Sequence, residues 1–245
     1  MTQEPEAGQD AGILARAQGC LLGQLAGDAL GSMVEFQSAA TIRNTHPGGL
    51  REIGPSPVFG TLAGQPTDDS ELALALARTL VAHGFDIEQI AAAYGDWHES
   101  GPFDEGGTTR QALSGIAAAR RRGDSAATAA RESASQNSQA NGALMRQSPL
   151  GIWGYALDPA VLDGYVRADT QLTHPNHVCQ DASAAFIVAL AAVIREGLDG
   201  PAAYARACAW DKAHGHSPKV TQALAAAQTG RPNYEQNIGH VPIAL

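Results

Sequence analysis

Apolar residues recur at helical spacing through most of the chain, and stretches rich in Gly, Pro, Ser and Thr separate these runs. This periodicity predicts helices rather than strands. The predicted helices cover about 13–34, 68–83, 86–100, 108–122, 158–169, 179–194, 201–213 and 218–227. Residues 124–140 fit either a helix or a loop, and 37–66 predict a long loop. We therefore expect an all-α protein with one domain over 12–245, after a disordered leader at 1–11.

Composition and charge support this fold and limit the possible partners. Hydrophobic residues make up 44% of the 245 residues and aromatic residues only 5%, so Ala and Leu must fill the core, as in close-packed helices. The net charge of −9 argues against general binding to a nucleic-acid backbone, although backbone N–H groups could still form a local anion site.

The sequence also predicts the cellular compartment of the protein. Its three cysteines are far apart and lack metal-ligand spacing, which indicates reduced thiols. The acidic, polar start is not a secretory signal, and no apolar run reaches the ~20 residues of a membrane span. We expect a cytoplasmic protein without a membrane partner.

Four glycines recur every four residues in the first predicted helix, at positions 19, 23, 27 and 31. This spacing places them along one stripe of the helix. Each glycine inside a helix costs about 0.5–1 kcal/mol relative to alanine, so the stripe requires a reason. We expect another helix backbone to approach it closely.

The segment Thr67-Asp68-Asp69-Ser70-Glu71 stands where a Gly/Pro-rich loop becomes a helix. One interpretation is a helix cap, with Thr67 or Asp68 at the N-cap and Asp68 and Glu71 in a capping box. The other is a site for a hard cation, because Mg²⁺, Mn²⁺ and Ca²⁺ prefer clustered oxygen ligands.

Two further carboxylates, Asp28 and Glu35, lie seven residues apart on a similar helical face. Each could belong to a functional site. The alternatives are that Asp28 bonds a neighbouring loop and that Glu35 is a solvated helix end.

Two glycine-containing loops could bind a ligand through their backbones. The first carries Asp104, Gly106 and Gly107 before a helix that Thr108 or Thr109 could cap, and the second begins at Asn141-Gly142. An ordinary loop and an ordinary turn are the alternatives. His174, His177 and Cys179 fit no usual zinc spacing, and a helix-entry loop is the better interpretation there.

Taken in order, these motifs resemble the ADP-ribosylglycohydrolase family, in particular its dinitrogenase-reductase-activating type. The motifs are GQLAGDALG (23–31) with Glu35-Phe36, Thr67-Asp68-Asp69-Ser70, GPFD (101–104), TTRQAL (108–113), NGALMR (141–146) and Thr173-His174-Pro175. The resemblance runs from about residue 16 to the end. It implies a compact single-domain orthogonal helical bundle that hydrolyses the bond between ADP-ribose and an acceptor such as a protein arginine or serine.

The resemblance also assigns roles to particular residues. It implies metal ligands at Thr67, Asp68 and Asp69 for Mg²⁺ or Mn²⁺, and catalytic carboxylates at Glu35 and Asp104. The implied partner is an ADP-ribosylated protein or a small ADP-ribosyl substrate. The substrate-binding set is Asp28, Gly106, Gly107, Asn141, Gly142, Ala143, Met145 and His174.

Two departures from the family pattern shape the expectation. Gly107 stands where this type usually has Asn, and the late Gly-x-Asp-Thr-Asp-Thr cluster that completes the family's metal site does not occur. We therefore expect a C-terminally truncated chain that lacks the last family helices. The alternative function is a catalytically impaired ADP-ribose-binding or structural relative.

Overall fold

The computed structural model describes residues 7–228 and residue 230, and every regular element in that part of the chain is a helix. The all-α prediction is confirmed. A 3-10 turn covers Leu144–Arg146. The helices are α1 (Ala7–Gly31), α2 (Ala39–Thr45), α3 (Asp68–His83), α4 (Ile87–Glu99), α5 (Gly107–Leu113), α6 (Ile116–Arg122), α7 (Ala126–Ser133), α8 (Ser148–Trp153), α9 (Pro159–Thr173), α10 (His177–Glu196), α11 (Gly200–His214) and α12 (Pro218–Ala227).

Helix α10 occupies the centre of the bundle and packs against α1, α8, α9, α11 and α12. By length and hydropathy alone it could cross a membrane, which differs from the expectation that no segment would qualify. However, 78% of its apolar window is buried against the rest of the protein. The apolar side chains of α10 therefore form part of the core.

The main core lies between α3, α4, α9 and α10. Leu72, Leu76, Ile90, Tyr94 and Ile187 are fully buried in it. Burying a side chain of this size contributes about 1.5–3 kcal/mol relative to leaving it exposed. The core fixes the axis of α3, and with it the position of the acidic residues at the start of α3.

Several helix boundaries follow the chemistry predicted from the sequence. Helix α3 covers the predicted range 68–83. Asp86 caps α4 by accepting hydrogen bonds from the backbone N–H groups of Glu88 and Gln89, and Asp158 caps α9 in the same way at Ala160. An N-terminal cap satisfies backbone donors that have no partner within their helix.

Other elements differ from the prediction. Ser38 caps the short helix α2 inside the segment expected to be a loop. The helix expected over 108–122 is divided into α5 and α6 at Ser114–Gly115, and α8 was not predicted. Helix α1 begins at Ala7, inside the segment 1–11 that was predicted to be a disordered leader. Residues 1–6 of that leader lie outside the described part of the chain, and so do residues 231–245 of the predicted domain.

The explanation given for the glycine stripe is wrong within the described part of the chain. A Cβ atom built on Gly19, Gly23, Gly27 or Gly31 meets nothing within 4 Å, and all four residues are exposed. No described helix approaches that face of α1. The neighbouring face of α1 makes the contacts that matter for the candidate site.

Candidate functional site

Helix α3 begins against a carboxylate from α1. Oδ2 of Asp28 accepts hydrogen bonds from the backbone N–H groups of Thr67 (3.0 Å) and Ser70 (3.2 Å), and Oδ1 accepts one from the Thr67 hydroxyl (2.7 Å). Thr67 holds the N-cap position but makes no side-chain cap bond of its own. Asp28 therefore caps α3 from another helix.

The expected capping box does not form. Glu71 instead accepts a hydrogen bond from the indole nitrogen of Trp97, 2.7 Å from its Oε2. Because neither Asp68 nor Glu71 is needed as the cap, the carboxylates of Asp68 and Asp69 remain free to line the adjacent cavity.

That cavity has a volume of about 380 Å³ and four carboxylates in its wall, those of Glu35, Asp68, Asp69 and Asp104. Glu35 lies in the turns after α1, and Asp104 in the loop before α5. Glu105 anchors this loop through His98 (2.6 Å) and Arg110 (2.9 Å). Three separate segments thus bring their acidic side chains together.

Crowding changes the protonation of these carboxylates. Burial raises the pKa of Glu35 to about 7, with the charges of Asp104, Asp69 and Asp28 adding to the effect. Burial and the charges of Asp104 and Asp69 raise the pKa of Asp68 to about 8. The pKa of Asp69 rises to about 6, first from burial and then from Asp28 and Asp104, and burial also raises that of Asp104. The cavity therefore holds protons that isolated carboxylates would release.

The rest of the cavity wall is built from loop backbone and a histidine. Asn141, Gly142, Met145 and His174 line it, and Gly106 and Gly107 complete the side next to Asp104. A Cβ on Gly142 would lie 2.7 Å from Cε1 of His174 and 2.9 Å from Oγ1 of Thr109. Only glycine allows the backbone to approach these two side chains so closely.

His174 is almost fully buried, and its Nδ1 is 2.8 Å from the hydroxyl oxygen of Thr173. Burial, and then the charge of Arg146, lowers the pKa of His174 to about 3. The imidazole is therefore neutral at neutral pH and offers a hydrogen bond without a charge.

Three of the sequence-predicted site residues do not line the cavity. Asp28 and Thr67 lie behind its acidic wall, bonded to each other, and Ala143 is fully buried. The sequence analysis had considered two interpretations of Asp28, a functional site residue and a side chain bonded to a neighbouring loop. The structure shows the second contact, at the loop end that carries Thr67. The other ten predicted residues all line the cavity.

A buried polar network supports the loop at Asn141–Gly142. The Arg146 guanidinium donates hydrogen bonds to the Gly142 carbonyl (3.1 Å), the Thr173 hydroxyl (2.8 Å) and the Asp169 carboxylate (3.3 Å). It also lies over the Tyr94 ring, with Cζ 4.4 Å from the centroid. This network holds the loop that faces the carboxylates.

Sequence reasoning assigned no role to several residues of the site. Thr109 was considered only as a cap, and Gln24 appeared only within the GQLAGDALG motif. In the structure Thr109 lines the cavity, and Gln24 bridges the carbonyls of Met145 (2.8 Å) and Asp69 (3.3 Å). Gln24 and Asp28, the two α1 residues that hold the site, both lie in the GQLAGD motif. Their roles become clear only from the residues to which they are hydrogen-bonded in the structure.

Phe36 forms part of the cavity rim. Its φ of +59° is uncommon for a bulky residue, and its side chain is 83% exposed. Phe59 makes edge contacts with both Phe36 and Phe103, with ring centroids 6.1 and 5.7 Å apart. An aromatic cluster therefore connects the segment of Glu35 with the loop of Asp104.

The donor set suits a hard divalent cation in its chemistry. Asp68 and Asp69 are close enough to repel each other, and no Lys or Arg is among the described residues that line the cavity. Thr67 donates its hydroxyl proton to Asp28, so its oxygen keeps lone pairs available. Among the described residues, however, no three His, Cys, Asp or Glu side chains are grouped to hold a metal by themselves. Water and substrate oxygens would have to complete the coordination.

Comparison with known proteins shows the family of the chain. The sequence model of the ADP-ribosylglycohydrolase family matches residues 9–245, which is nearly the whole chain. The chain belongs to the ADP-ribosylglycohydrolase family. A solved chain of an "ADP-ribosylglycohydrolase-related protein complex" superposes with a TM-score of 0.74 at 26% identity, over 95% of this chain and 73% of that one.

Two curated family relatives give more specific likenesses. The ADP-ribosyl-[dinitrogen reductase] glycohydrolase of Rhodospirillum rubrum is 36% identical over 171 residues, 69% of this chain and 54% of the relative. The ADP-ribosylarginine hydrolase Tri1 of Pseudomonas putida (strain GB-1) is 39% identical over 110 residues, 42% of this chain and 28% of the relative. The matched region thus spans about half or less of each of these relatives.

Proposed function

We propose that this cavity binds ADP-ribose and hydrolyses the glycosidic bond that joins it to an acceptor, with the help of Mg²⁺ or Mn²⁺. The observation that carries the proposal is the meeting, in the lining of one cavity, of four carboxylates with an uncharged loop and histidine: Glu35, Asp68, Asp69 and Asp104 with Asn141, Gly142 and His174. Glycoside hydrolysis generally uses paired carboxylates, and this cavity offers them beside an uncharged binding wall.

Glu35 is our candidate for holding the transferable proton. A general acid works best when its pKa is near the working pH, and the pKa of Glu35 is raised to about 7. The carboxyl group can therefore stay protonated near neutrality and protonate the departing acceptor. Asp104, on the neighbouring loop, is the second carboxylate of the pair.

Asp68 and Asp69 line the cavity and are the residues that would hold the cation. A divalent cation, when bound, would attract oxygen atoms of the substrate and stabilise the charge that develops as the glycosidic bond breaks. The fixed start of α3 keeps the two carboxylates in place, because Asp28 and the core hold that helix turn.

The neutral wall would orient the sugar and the nucleotide. His174 can donate or accept one hydrogen bond without attracting a counter-ion, and the Gly142 backbone presents no side chain in front of it. The acceptor is proposed to be a protein arginine or serine. One of the two relatives is an ADP-ribosylarginine hydrolase and the other an ADP-ribosyl-[dinitrogen reductase] glycohydrolase, which supports a protein acceptor and arginine in particular.

The test is release of ADP-ribose from an ADP-ribosylated protein in the presence of Mg²⁺ or Mn²⁺. We expect the unmodified chain to release it and Glu35→Gln to lose at least about 100-fold in rate, the usual size of a general-acid contribution. Glu52→Gln, an exposed carboxylate outside the cavity, is the control. Equal rates for Glu35→Gln and the unmodified chain would remove Glu35 from the chemistry.

A second candidate function is binding of ADP-ribose without hydrolysis. It is supported by the finding that, among the described residues, no three His, Cys, Asp or Glu side chains are grouped to hold a metal by themselves. No release of ADP-ribose, together with calorimetric binding of free ADP-ribose, would favour this function over the first.

A further inference from the structure

Phe36 exposes an aromatic ring at the mouth of the cavity that the four carboxylates line. The residue belongs to the lining of that cavity and is nevertheless 83% exposed. Its ring meets the ring of Phe59 at an angle of 67°, a contact that leaves most of its surface open. At least one face of the ring is therefore uncovered. The hydrophobic effect rewards only apolar area that is removed from water, so this ring gains little from folding.

The backbone at Phe36 also runs against local preference. The N–H group of Gln37 donates a hydrogen bond to the carbonyl of Val34 at 3.1 Å. This bond closes a turn over residues 34–37, in which Phe36 is the third residue and has a φ of +59°. Glycine or asparagine is favoured at such a position, because a side chain is crowded there. A bulky residue that is both strained and exposed points to a use outside the folding of the chain.

The rim beside Phe36 is held by a buried serine. The hydroxyl of Ser56 donates a hydrogen bond to the carbonyl of Ser32 (2.5 Å) and accepts one from the N–H group of Phe59 (3.4 Å). These bonds fasten Phe59 to the turns that lead into Phe36. Phe59 also meets Phe103, which is 45% exposed and lies in the loop of the second carboxylate of the proposed pair. The aromatic cluster is thus a fixed part of the cavity mouth.

The location of Phe36 indicates the acceptor end of the substrate. The adjacent residue, Glu35, is the proposed donor of the proton that the departing acceptor receives, so the acceptor has to lie beside it. An acceptor that belongs to a protein also has to enter at the mouth of the cavity, where Phe36 is exposed. The loop and histidine part of the wall, with Asn141 and His174, is left for the ADP-ribose.

The charges around the ring favour a cationic acceptor. Four carboxylates line the cavity, and the described lining residues include no Lys or Arg. The face of an aromatic ring carries negative partial charge and attracts a guanidinium that lies within about 6 Å of its centroid. An arginine acceptor brings such a cation, whereas a serine acceptor brings an uncharged oxygen.

We propose that Phe36 selects the acceptor by holding the guanidinium of an ADP-ribosylated arginine against its open ring face. Phe59 keeps the ring in place, and Phe103 extends the apolar rim along which the acceptor chain lies. The inference rests on the proposed function and deepens it, because it assigns the part of the same cavity that recognises the acceptor.

The test is calorimetric binding of two ADP-ribosylated peptides that differ only at the modified residue, which is arginine in one and serine in the other. The buffer contains EDTA, so that the metal-dependent reaction does not consume the peptides. We expect the unmodified chain to bind the arginine peptide about fivefold more tightly than the serine peptide, the ratio that a cation–π contact at an exposed site provides.

Substitutions at Phe36 separate recognition of the acceptor from a structural role. Phe36→Leu keeps an apolar side chain but removes the ring, and it should reduce the preference to less than about twofold. Phe36→Tyr keeps the ring face and should retain the preference. Phe36→Gly should remove the preference at an unchanged or higher Tm, because glycine suits the third position of this turn. A lower Tm would show that the ring serves the fold instead.

The matched control is Phe186→Leu, the same substitution at a phenylalanine on α10 that is 44% exposed and does not line this cavity. It should leave both affinities unchanged. An affinity of the unmodified chain for the arginine peptide that is no higher than for the serine peptide would overturn the inference. The same preference in Phe36→Leu as in the unmodified chain would overturn it too.

Titration with free ADP-ribose separates this inference from the proposed function. Phe36→Leu should bind free ADP-ribose as tightly as the unmodified chain does. An equal loss for free ADP-ribose and for both peptides would place the ring against the nucleotide and overturn the inference, while the proposed function stands. If the unmodified chain binds neither free ADP-ribose nor either peptide, the proposed function fails and the inference fails with it.

Discussion

At the scale of single residues, Asp28 shows how one side chain can prepare a site without entering it. Its carboxylate accepts three hydrogen bonds from the first turn of α3, two from Thr67 and one from Ser70. These bonds replace the local cap and leave the neighbouring acidic side chains facing the cavity. Asp28 is a positioning residue of the site.

The first prediction concerns this contact. Asp28→Ala should lower the free energy of unfolding by about 2–3 kcal/mol, because a helix loses its cap and charge-assisted hydrogen bonds. Urea denaturation monitored by circular dichroism measures it. Glu52→Ala, at an exposed position, should change it by less than about 0.5 kcal/mol. A loss at position 28 as small as that of the control would refute the capping role.

The second prediction concerns the close approach at Gly142. Gly142→Ala should weaken ADP-ribose binding and destabilise the fold by about 1–3 kcal/mol, because the new Cβ would overlap His174 and Thr109. Calorimetry and thermal unfolding measure the two effects.

The matched control is Gly164→Ala on the exposed side of α9, where a Cβ meets nothing within 4 Å. It should be neutral or stabilising by up to about 1 kcal/mol. If both variants behave alike, the tight packing around Gly142 is not what sets the shape of the cavity wall.

The residue types of the site could be predicted from the sequence, but most of their partners could not. Glu35, Asp68, Asp69 and Asp104 drew attention as carboxylates in loops and at helix starts. The hydrogen bonds of Arg146, in contrast, reach residues up to 27 positions away, which no local pattern encodes. Its motif was recognised, and its function as a buried support of the loop was not.

At the scale of elements, α1 has two different faces. Gln24 and Asp28 attach one face to α3 and to the turn at Met145, while the glycine stripe on the other meets no described residue. The sequence pattern indicated that the stripe was special but gave the wrong reason, since a glycine row looks the same whether it is covered or open.

The third prediction follows from the open stripe. Gly23→Ala should raise the free energy of unfolding of this chain by about 0.5–1 kcal/mol, because alanine is favoured over glycine in a helix and its methyl group has space. Urea denaturation again gives the value. A decrease would mean that some part of the chain packs against the stripe after all.

Long, well-bounded helices were predictable, and short ones were not. The apolar run of α3 lies between an acidic start and Gly84, and Asp86 begins α4, so pattern and capping agree there. Helices α2 and α8 have 7 and 6 residues, too few for a periodic pattern to emerge. The break between α5 and α6 is equally local, at Ser114–Gly115.

At the scale of the whole molecule, the fold collects residues that lie far apart in the sequence. The cavity joins segments around residues 35, 68, 104, 141 and 174. Helix periodicity alone could not predict this convergence, because it says nothing about how helices pack. Only the order of the motifs, through the family resemblance, pointed to one shared site.

The fourth prediction concerns the dependence of stability on pH. The folded protein without a cation has raised pKa values at Asp69 (about 6), Glu35 (about 7) and Asp68 (about 8). A carboxyl group whose pKa is higher in the folded state binds its proton more tightly there, so its contribution to stability is present below about pH 4 and is lost as the pH rises through these values. The cluster should therefore destabilise the metal-free protein increasingly between about pH 5 and about pH 8.

Thermal unfolding in EDTA across this pH range measures the effect. Asp68→Asn removes one of the titrating groups and should show a smaller fall in Tm than the unmodified chain. Asp86→Asn is less suitable as a control because Asp86 caps α4, whereas the exposed Asp124→Asn, outside the cavity, should keep the full fall. Parallel curves for the unmodified chain and Asp68→Asn would contradict the raised pKa.

The central claim is that the acidic wall and the neutral wall form one site, in which a cation and ADP-ribose bind together. Calorimetric titration with ADP-ribose, with and without Mg²⁺ or Mn²⁺, tests this most directly. Binding should be at least about tenfold tighter with the cation, and Asp68→Asn should abolish that gain while retaining the cation-independent binding. The same ADP-ribose affinity with and without cation in the unmodified chain would contradict the claim.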